Sequence, residues 1–223
     1  MNGGKPAELR QALKTAAKAT AAALERAVSN QPADLQLLAQ CHSSQSLCEW
    51  ELDRREEALT SEACSLAIRR RLFILAPDTY RRDLAYSLRL LGTYRLVLGN
   101  LRDALRLIAE SVREYRALAV HSDEDIAQYL AEALHIRSRI LIEFQRPVPA
   151  LRSLRHALNL LLDGYRRHRG GLRHQIVELL PLYVKLSERL NQELGADVIA
   201  WVVQERARQG ETSASSTTSA PSE

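Results

Sequence analysis

Paired cysteines, long apolar runs and strand-like alternation are all missing from this chain, and each absence removes a class of fold. Cys41, Cys48 and Cys64 make an odd number without a close pair, which argues against a disulfide framework and predicts a reducing, cytoplasmic setting. No run reaches the roughly 18 apolar residues of a membrane-spanning helix, so no membrane role is expected. No stretch alternates apolar and polar side chains with period two over the length of a strand. Glycine and proline are scarce, with 9 and 7 among 223 residues, and the class that remains is all-α. Also missing are a Gly-rich phosphate loop, His-Glu-x-x-His and Gly-x-Ser-x-Gly, the signatures of nucleotide binding, zinc peptidases and serine hydrolases. Neither sign of charge dominates: 31 Lys and Arg face 27 Asp and Glu, for a net charge of +4. The excess sits in Arg clusters near helix ends instead of one long stripe, which weakens a nucleic-acid reading.

What is present is a period. The chain is 46% apolar and 26% charged, enough to build a core. From Thr79 to His121 it reads as two amphipathic helices hinged at Gly99-Asn100. Stepping Ala104 by 46 residues meets Ala58 and Ala12 in one direction, Ala150 and Ala196 in the other. Twelve places before three of these stand small residues, Ser46, Gly92 and Ser138, as a close helix crossing requires. The fourth unit has Val184 there and is the weakest. Leu52, Leu98, Phe144 and Leu190 precede the hinges and close the bottom of each pair. Units of this kind bury their apolar faces only by stacking on neighbours.

The boundaries follow. Residues 1–6 form a flexible arm, and residues 7–29 a capping helix with Leu9, Leu13, Ala16, Ala17, Leu24 and Val28 on one face. Glu8 and Glu25 interrupt its positive face, so it reads as structure and not as a transit peptide. Repeats occupy about 32–76, 78–121, 123–169 and 172–209. Pro32 and Pro77-Asp78 open the first two, since proline is accepted in the first turn of a helix. Ser122 or Asp123 caps the third, and Gly170-Gly171 separates it from the fourth. Pro181 predicts a kink or a late start near Glu178. Residues 210–223 have no bulky apolar residue and read as a disordered tail.

Leu91-Gly92 and Ala104-x-x-x-Ile108 stand at the spacing of the tetratricopeptide signature, with Leu88, Arg95 and Arg116 in place of its Trp, Tyr and Pro. Over about residues 7 to 209 the chain resembles that family, in a long-helix form like those of kinesin light chains and of bacterial and fungal regulatory proteins. The usual unit has 34 residues. The extra length lies between one unit's second helix and the next unit's first. The resemblance implies a right-handed α-solenoid of stacked antiparallel helix pairs that binds a protein or peptide segment along a concave groove lined by the first helices. It places Gln40, Ser43, Leu47, Trp50 and Glu51 in that groove from the first repeat, and Tyr86, Arg89, Thr93 and Val97 from the second. Glu132, His135, Arg139 and Glu143 follow from the third, then Glu178, Leu182, Lys185 and Arg189. Arg139 and Glu143 are spaced to pair within their helix. The family's carboxylate clamp would need Lys, Asn or Arg where this chain has Ser43, Leu47, Leu90, Glu132 and Ile136, or, one repeat on, Arg89, Thr93, Ile136, Glu178 and Leu182. Neither set makes a clamp.

Three further patterns bear on chemistry. Glu132-x-x-His135 has the spacing of di-iron carboxylate bundles, but no second Glu-x-x-His exists. Cys41-His42 with Cys48 matches no short zinc-gripping pair, and the cysteines read as buried small apolar residues. Arg166-Arg167-His168-Arg169 with Arg173-His174 reads as a solvated helix end offsetting exposed carbonyls, with phosphate or an acidic partner as the alternative. The expectation is a non-catalytic scaffold without cofactor or metal. The alternatives are a nucleic-acid-associated helical-repeat protein using its Arg clusters, or a regulatory fragment of a larger chain.

Overall fold

The computed structural model describes residues 4–119, 124–167 and 172–216, and these form nine α-helices with no strand among them. They are α1 (Gly4–Ala27), α2 (Pro32–Glu51), α3 (Arg55–Leu75), α4 (Pro77–Val97), α5 (Leu101–Ala119), α6 (Glu124–Glu143), α7 (Pro147–Arg167), α8 (Arg173–Arg189) and α9 (Ala196–Ser216). From α1 to α8 each helix packs against the next, the arrangement of an all-α solenoid.

Local chemistry sets the element ends. Pro32, Pro77 and Pro147 each open a helix, where the missing N–H costs nothing and the fixed φ is already helical. The hinges inside the four pairs repeat one another. Asp53, Gly99, Gln145 and Asn191, spaced by the 46-residue period, all have positive φ, at 62, 76, 55 and 50°. After each, the next N–H reaches back to a carbonyl of the last helical turn: Arg54 to Glu49, Asn100 to Arg95 and Arg146 to Leu141 at 2.8 Å, Gln192 to Ser187 at 2.9 Å. This is a Schellman closure, which satisfies carbonyls the helix end leaves open.

Packing repeats as well. Ala58, Ala104 and Ala150 are fully buried. A Cβ added to Gly92 would stand 2.7 Å from Ile108 Cδ1, so α4 and α5 cross where only hydrogen fits. The Ser65 hydroxyl donates to the Ala39 carbonyl, and one period later Ser111 donates to Ala85, both at 2.8 Å. Tyr115, Leu134, Ile140, Leu154 and Leu158 centre the largest apolar core, in the middle and C-terminal part of the array.

The sequence expectations need correction chiefly at the two ends. Ala12 and Ala196 are exposed although they share the period. The capping helix has a neighbour on one side only, and turns Leu13, Thr20 and Ala23 inward while Leu24 and Val28 face solvent. It includes Gly4 to Pro6, expected in the arm, while residues 1–3 lie outside the described residues. Pro181 neither delays α8 to Glu178 nor ends it; the helix runs from Arg173 with the proline inside. In the fourth unit α9 leans on α7 instead of running along α8, as Val184 in the small-residue place leads one to expect. Trp201 meets Tyr165 edge-on at 6.1 Å, and Asp197 pairs with Arg166 at 2.5 Å. No proline interrupts α9 before Pro221, and it continues through Gly210 to Ser216, beyond the expected start of the tail. The breaks expected at His121-Ser122-Asp123 and Gly170-Gly171, and the rest of the tail from 217, lie outside the described residues.

Candidate functional site

The inward-facing residues of α4, α6 and α8 come together. Arg89, Glu132, His135, Arg139, His174 and Glu178 line a hollow of about 360 Å³, floored by Ile136, Leu161 and Leu179. A second hollow of about 390 Å³ adjoins it, sharing His135, Arg139 and Glu178 and adding Ile142, Glu143 and Leu182. Together they make a trough with an apolar floor and charges of both signs on its walls.

Its electrostatics are partly settled within the protein. Arg89 pairs with Glu132 at 3.0 Å, and Gln128 donates to the same carboxylate at 3.5 Å. The Arg139–Glu143 pair expected from spacing does not form among the described residues, which leaves both groups facing the trough. Burial lowers the pKa of His135; Glu178 opposes this and Arg139 adds to it. At neutral pH the ring is therefore uncharged and offers one donor and one acceptor. Glu132 and His135 do face one hollow, but no group of three or more His, Cys, Asp and Glu among the described residues is placed to hold a metal ion.

The first repeat contributes differently. Gln40 and Leu47 are exposed on α2, but Ser43 is only 4% exposed and does not reach the groove. Its register equivalents Arg89 and His135 are long enough to emerge; a serine hydroxymethyl is not. It donates instead to Glu62 at 2.8 Å. Trp50 is stacked on Tyr94 with centroids 4.0 Å apart, and Arg55 lies over its other face at 4.1 Å. Tyr86 lies under both Arg69 and Arg89, at 5.4 Å each, and the Thr93 hydroxyl donates to the Arg89 carbonyl at 2.8 Å. These three side chains are thus held within the protein. Lys185 is exposed on α8, outside the two hollows.

Sequence reasoning missed the polar cluster beneath α2. Glu62 is fully buried and accepts hydrogen bonds from Ser43 at 2.8 Å, Ser46 at 3.0 Å and Ser87 at 2.6 Å, while Arg69 donates to Ser87 at 2.7 Å. Burial raises its pKa, against the pull of these hydroxyls and of Arg69. One signal was available: Glu62 occupies the register of Ile108 and Leu154, where an apolar residue crosses the small one.

Two other expectations change. The cysteines are not buried: Cys41 and Cys48 are half-buried, and Cys64 is exposed. In the basic run, Arg166 pairs with Asp163 and Asp197, and Arg173 with Glu205 at 2.6 Å. His174 turns to the trough, while His168 and Arg169 lie outside the described residues.

No family model matches the chain, and no curated protein matches it. Among solved structures it is similar to the crystal structure of BtubC (BKLC) from P. vanneervenii, with a TM-score of 0.57 and 12% identity, covering 96% of this chain and 94% of that one. At that identity the likeness speaks to the fold alone.

Proposed function

We propose that the chain is a long-helix member of the tetratricopeptide class and a non-catalytic scaffold that takes an extended peptide or protein segment along the trough formed by α4, α6 and α8. The observation that carries this reading is the pair of adjoining hollows, in which side chains one repeat apart, Arg89 and His135, open onto one continuous surface. An apolar floor beneath Arg139, Glu143 and Glu178 suits a ligand with alternating apolar and charged side chains. Recognition sites of this kind rely on a few buried anchors surrounded by polar contacts. The Arg166 and Arg173 ion pairs favour this reading over nucleic-acid binding, because those guanidiniums already have carboxylate partners. The thiols Cys41, Cys48 and Cys64 fit a cytoplasmic setting.

The test is selection from a random peptide library on the immobilised full chain, followed by affinity measurement against Arg139→Glu and Leu182→Ala. Each change is expected to weaken the recovered peptides by about 1–3 kcal/mol, the range of an interface anchor, with the helical circular dichroism unchanged. Peptides that bind both variants as well as the wild type would refute the trough as the site.

A further inference from the structure

Two hollows one repeat apart lie outside the trough, between α3, α4 and α5 and between α5 and α6. The first is lined by Ala63, Leu66, Ala67 and Arg70 along α3, by Leu91 and Arg95 from α4, and by Asp103, Arg106 and Leu107 from α5. The second, of about 210 Å³, is lined by Ala109, Val112, Arg113 and Arg116 along α5, with Arg137 from α6. Adding the 46-residue period to Ala63, Leu66, Ala67, Arg70, Leu91 and Asp103 gives Ala109, Val112, Arg113, Arg116, Arg137 and Pro149, while Arg95 and Arg106 map to Leu141 and Arg152 outside the second hollow. They are the same place in successive repeats, and their charge differs.

In the first hollow two of the three cations have carboxylate partners. Arg70 pairs with Glu110 at 2.6 Å, and Arg106 reaches Asp103 on the rim at 3.9 Å. In the second, Pro149 replaces the aspartate, His156 replaces Glu110, and Arg137 replaces the floor residue Leu91. Among the described residues no carboxylate lines it. Among the described residues Arg113 reaches Glu114 at 2.9 Å, a carboxylate already held by Arg81 at 2.6 Å, while Arg116 and Arg137 have no ion-pair partner. The Arg137 Nε–H is buried without an acceptor, as is that of Arg70 in the first hollow. Burial and the adjacent Arg116 both lower the pKa of Arg137 and of His156, as expected where positive charge has gathered without its counterion.

We propose that this hollow binds a phosphate-class dianion between Arg113, Arg116 and Arg137. Two unpaired planar guanidiniums and a third shared one match the several acceptor oxygens of a tetrahedral oxyanion, which arginine takes in bidentate fashion. Arg137 lies two residues beyond His135 and so turns to the opposite side of α6, separate from the trough.

The experiment is titration calorimetry of the full chain with inorganic phosphate, phenyl phosphate and a short phosphoserine peptide at matched ionic strength. Saturable binding is expected, weakening as salt is added. Arg137→Leu and His156→Glu restore the residues of the preceding repeat, and each should weaken binding at least tenfold. Arg70→Leu, in the first hollow, should leave it unchanged. Melting curves establish that the variants fold, and Arg116→Ala, an exposed change, supplies the test should either buried change fail to. Binding of inorganic phosphate assigns the site to a free anion, and binding of the phosphoserine peptide alone assigns it to a phosphate carried by a partner. Absence of saturable binding by all three probes, or binding that survives Arg137→Leu and Arg116→Ala, would overturn the assignment.

Discussion

Gly92 and Gly99 stand seven residues apart, and their replacement by alanine separates two reasons a solenoid keeps glycine. At Gly92 a new Cβ meets Ile108 Cδ1 at 2.7 Å and Cγ1 at 2.8 Å. Ile108 is fully buried and cannot swing aside. Alanine in a helix interior gains about 0.8–1.0 kcal/mol over glycine, and overpacking a tight core costs about 1–3 kcal/mol. Gly92→Ala should therefore be neutral or destabilise by up to about 2 kcal/mol. In an Ile108→Ala background, itself costing about 2–5 kcal/mol, the clash disappears and the new methyl enters the cavity. There the same change should stabilise by roughly 1 kcal/mol, so its sign reverses. At Gly99 nothing lies within 4 Å, but φ is +76°. Alanine there pays a left-handed penalty of about 1–2 kcal/mol that does not depend on Ile108. Urea denaturation of the two double-mutant cycles measures both. In a chain of this length each kcal/mol moves the thermal midpoint by about 2–4 °C. A Gly92→Ala that stabilises equally in both backgrounds would refute the crossing at this register.

Two further outcomes follow from the first repeat. Burial raises the pKa of Glu62 above its ordinary 4.5, so the native state holds that proton more tightly than the unfolded chain; its advantage is complete below about 4.5 and lost as pH rises through the folded value. The stability of wild type relative to Glu62→Gln should thus be greater at pH 4 than at pH 7.5, and melting curves showing the reverse would mean that the serine hydroxyls and Arg69 outweigh burial. Trp50→Ala, which removes the stack on Tyr94, should lower stability by about 1–3 kcal/mol, less than a fully buried tryptophan because Trp50 is half-exposed; unchanged melting together with lost peptide binding would return Trp50 to the groove.

How far these features were legible depends on what each position demands. Ala58, Ala104 and Ala150 were readable because a close crossing tolerates little else. Ala12 and Ala196 carry the same letter but lack a flanking helix on one side, and local sequence does not record a missing neighbour. The hinge at Gly99 was plain, whereas Asp53, Gln145 and Asn191 adopt the same left-handed backbone without a glycine to mark it. Counting by phase put Arg89, Glu132, His135 and Arg139 on one face, and they line one hollow. It failed at Ser43, since phase gives direction and not reach, and at Trp50, whose stacking partner Tyr94 lies one helix pair away.

A repeat also carries its own control. Where the units agree, in the left-handed hinge, the buried alanine and the serine bound to a neighbouring carbonyl, the shared feature is what stacking requires. Divergence alone, however, does not mark a binding residue. Glu62 departs from Ile108 and Leu154, yet three serine hydroxyls and the nearby Arg69 answer its charge from inside. Arg137 departs from Leu91 just as sharply, and among the described residues no acceptor answers its Nε–H. The useful criterion is therefore divergence from the repeat together with a polar group left unmet. Fold stability gives no reason to keep a cation in a hollow that leucine fills one repeat earlier. It is on this ground that the Arg113, Arg116 and Arg137 hollow, and not the Glu62 cluster, points to something outside the chain.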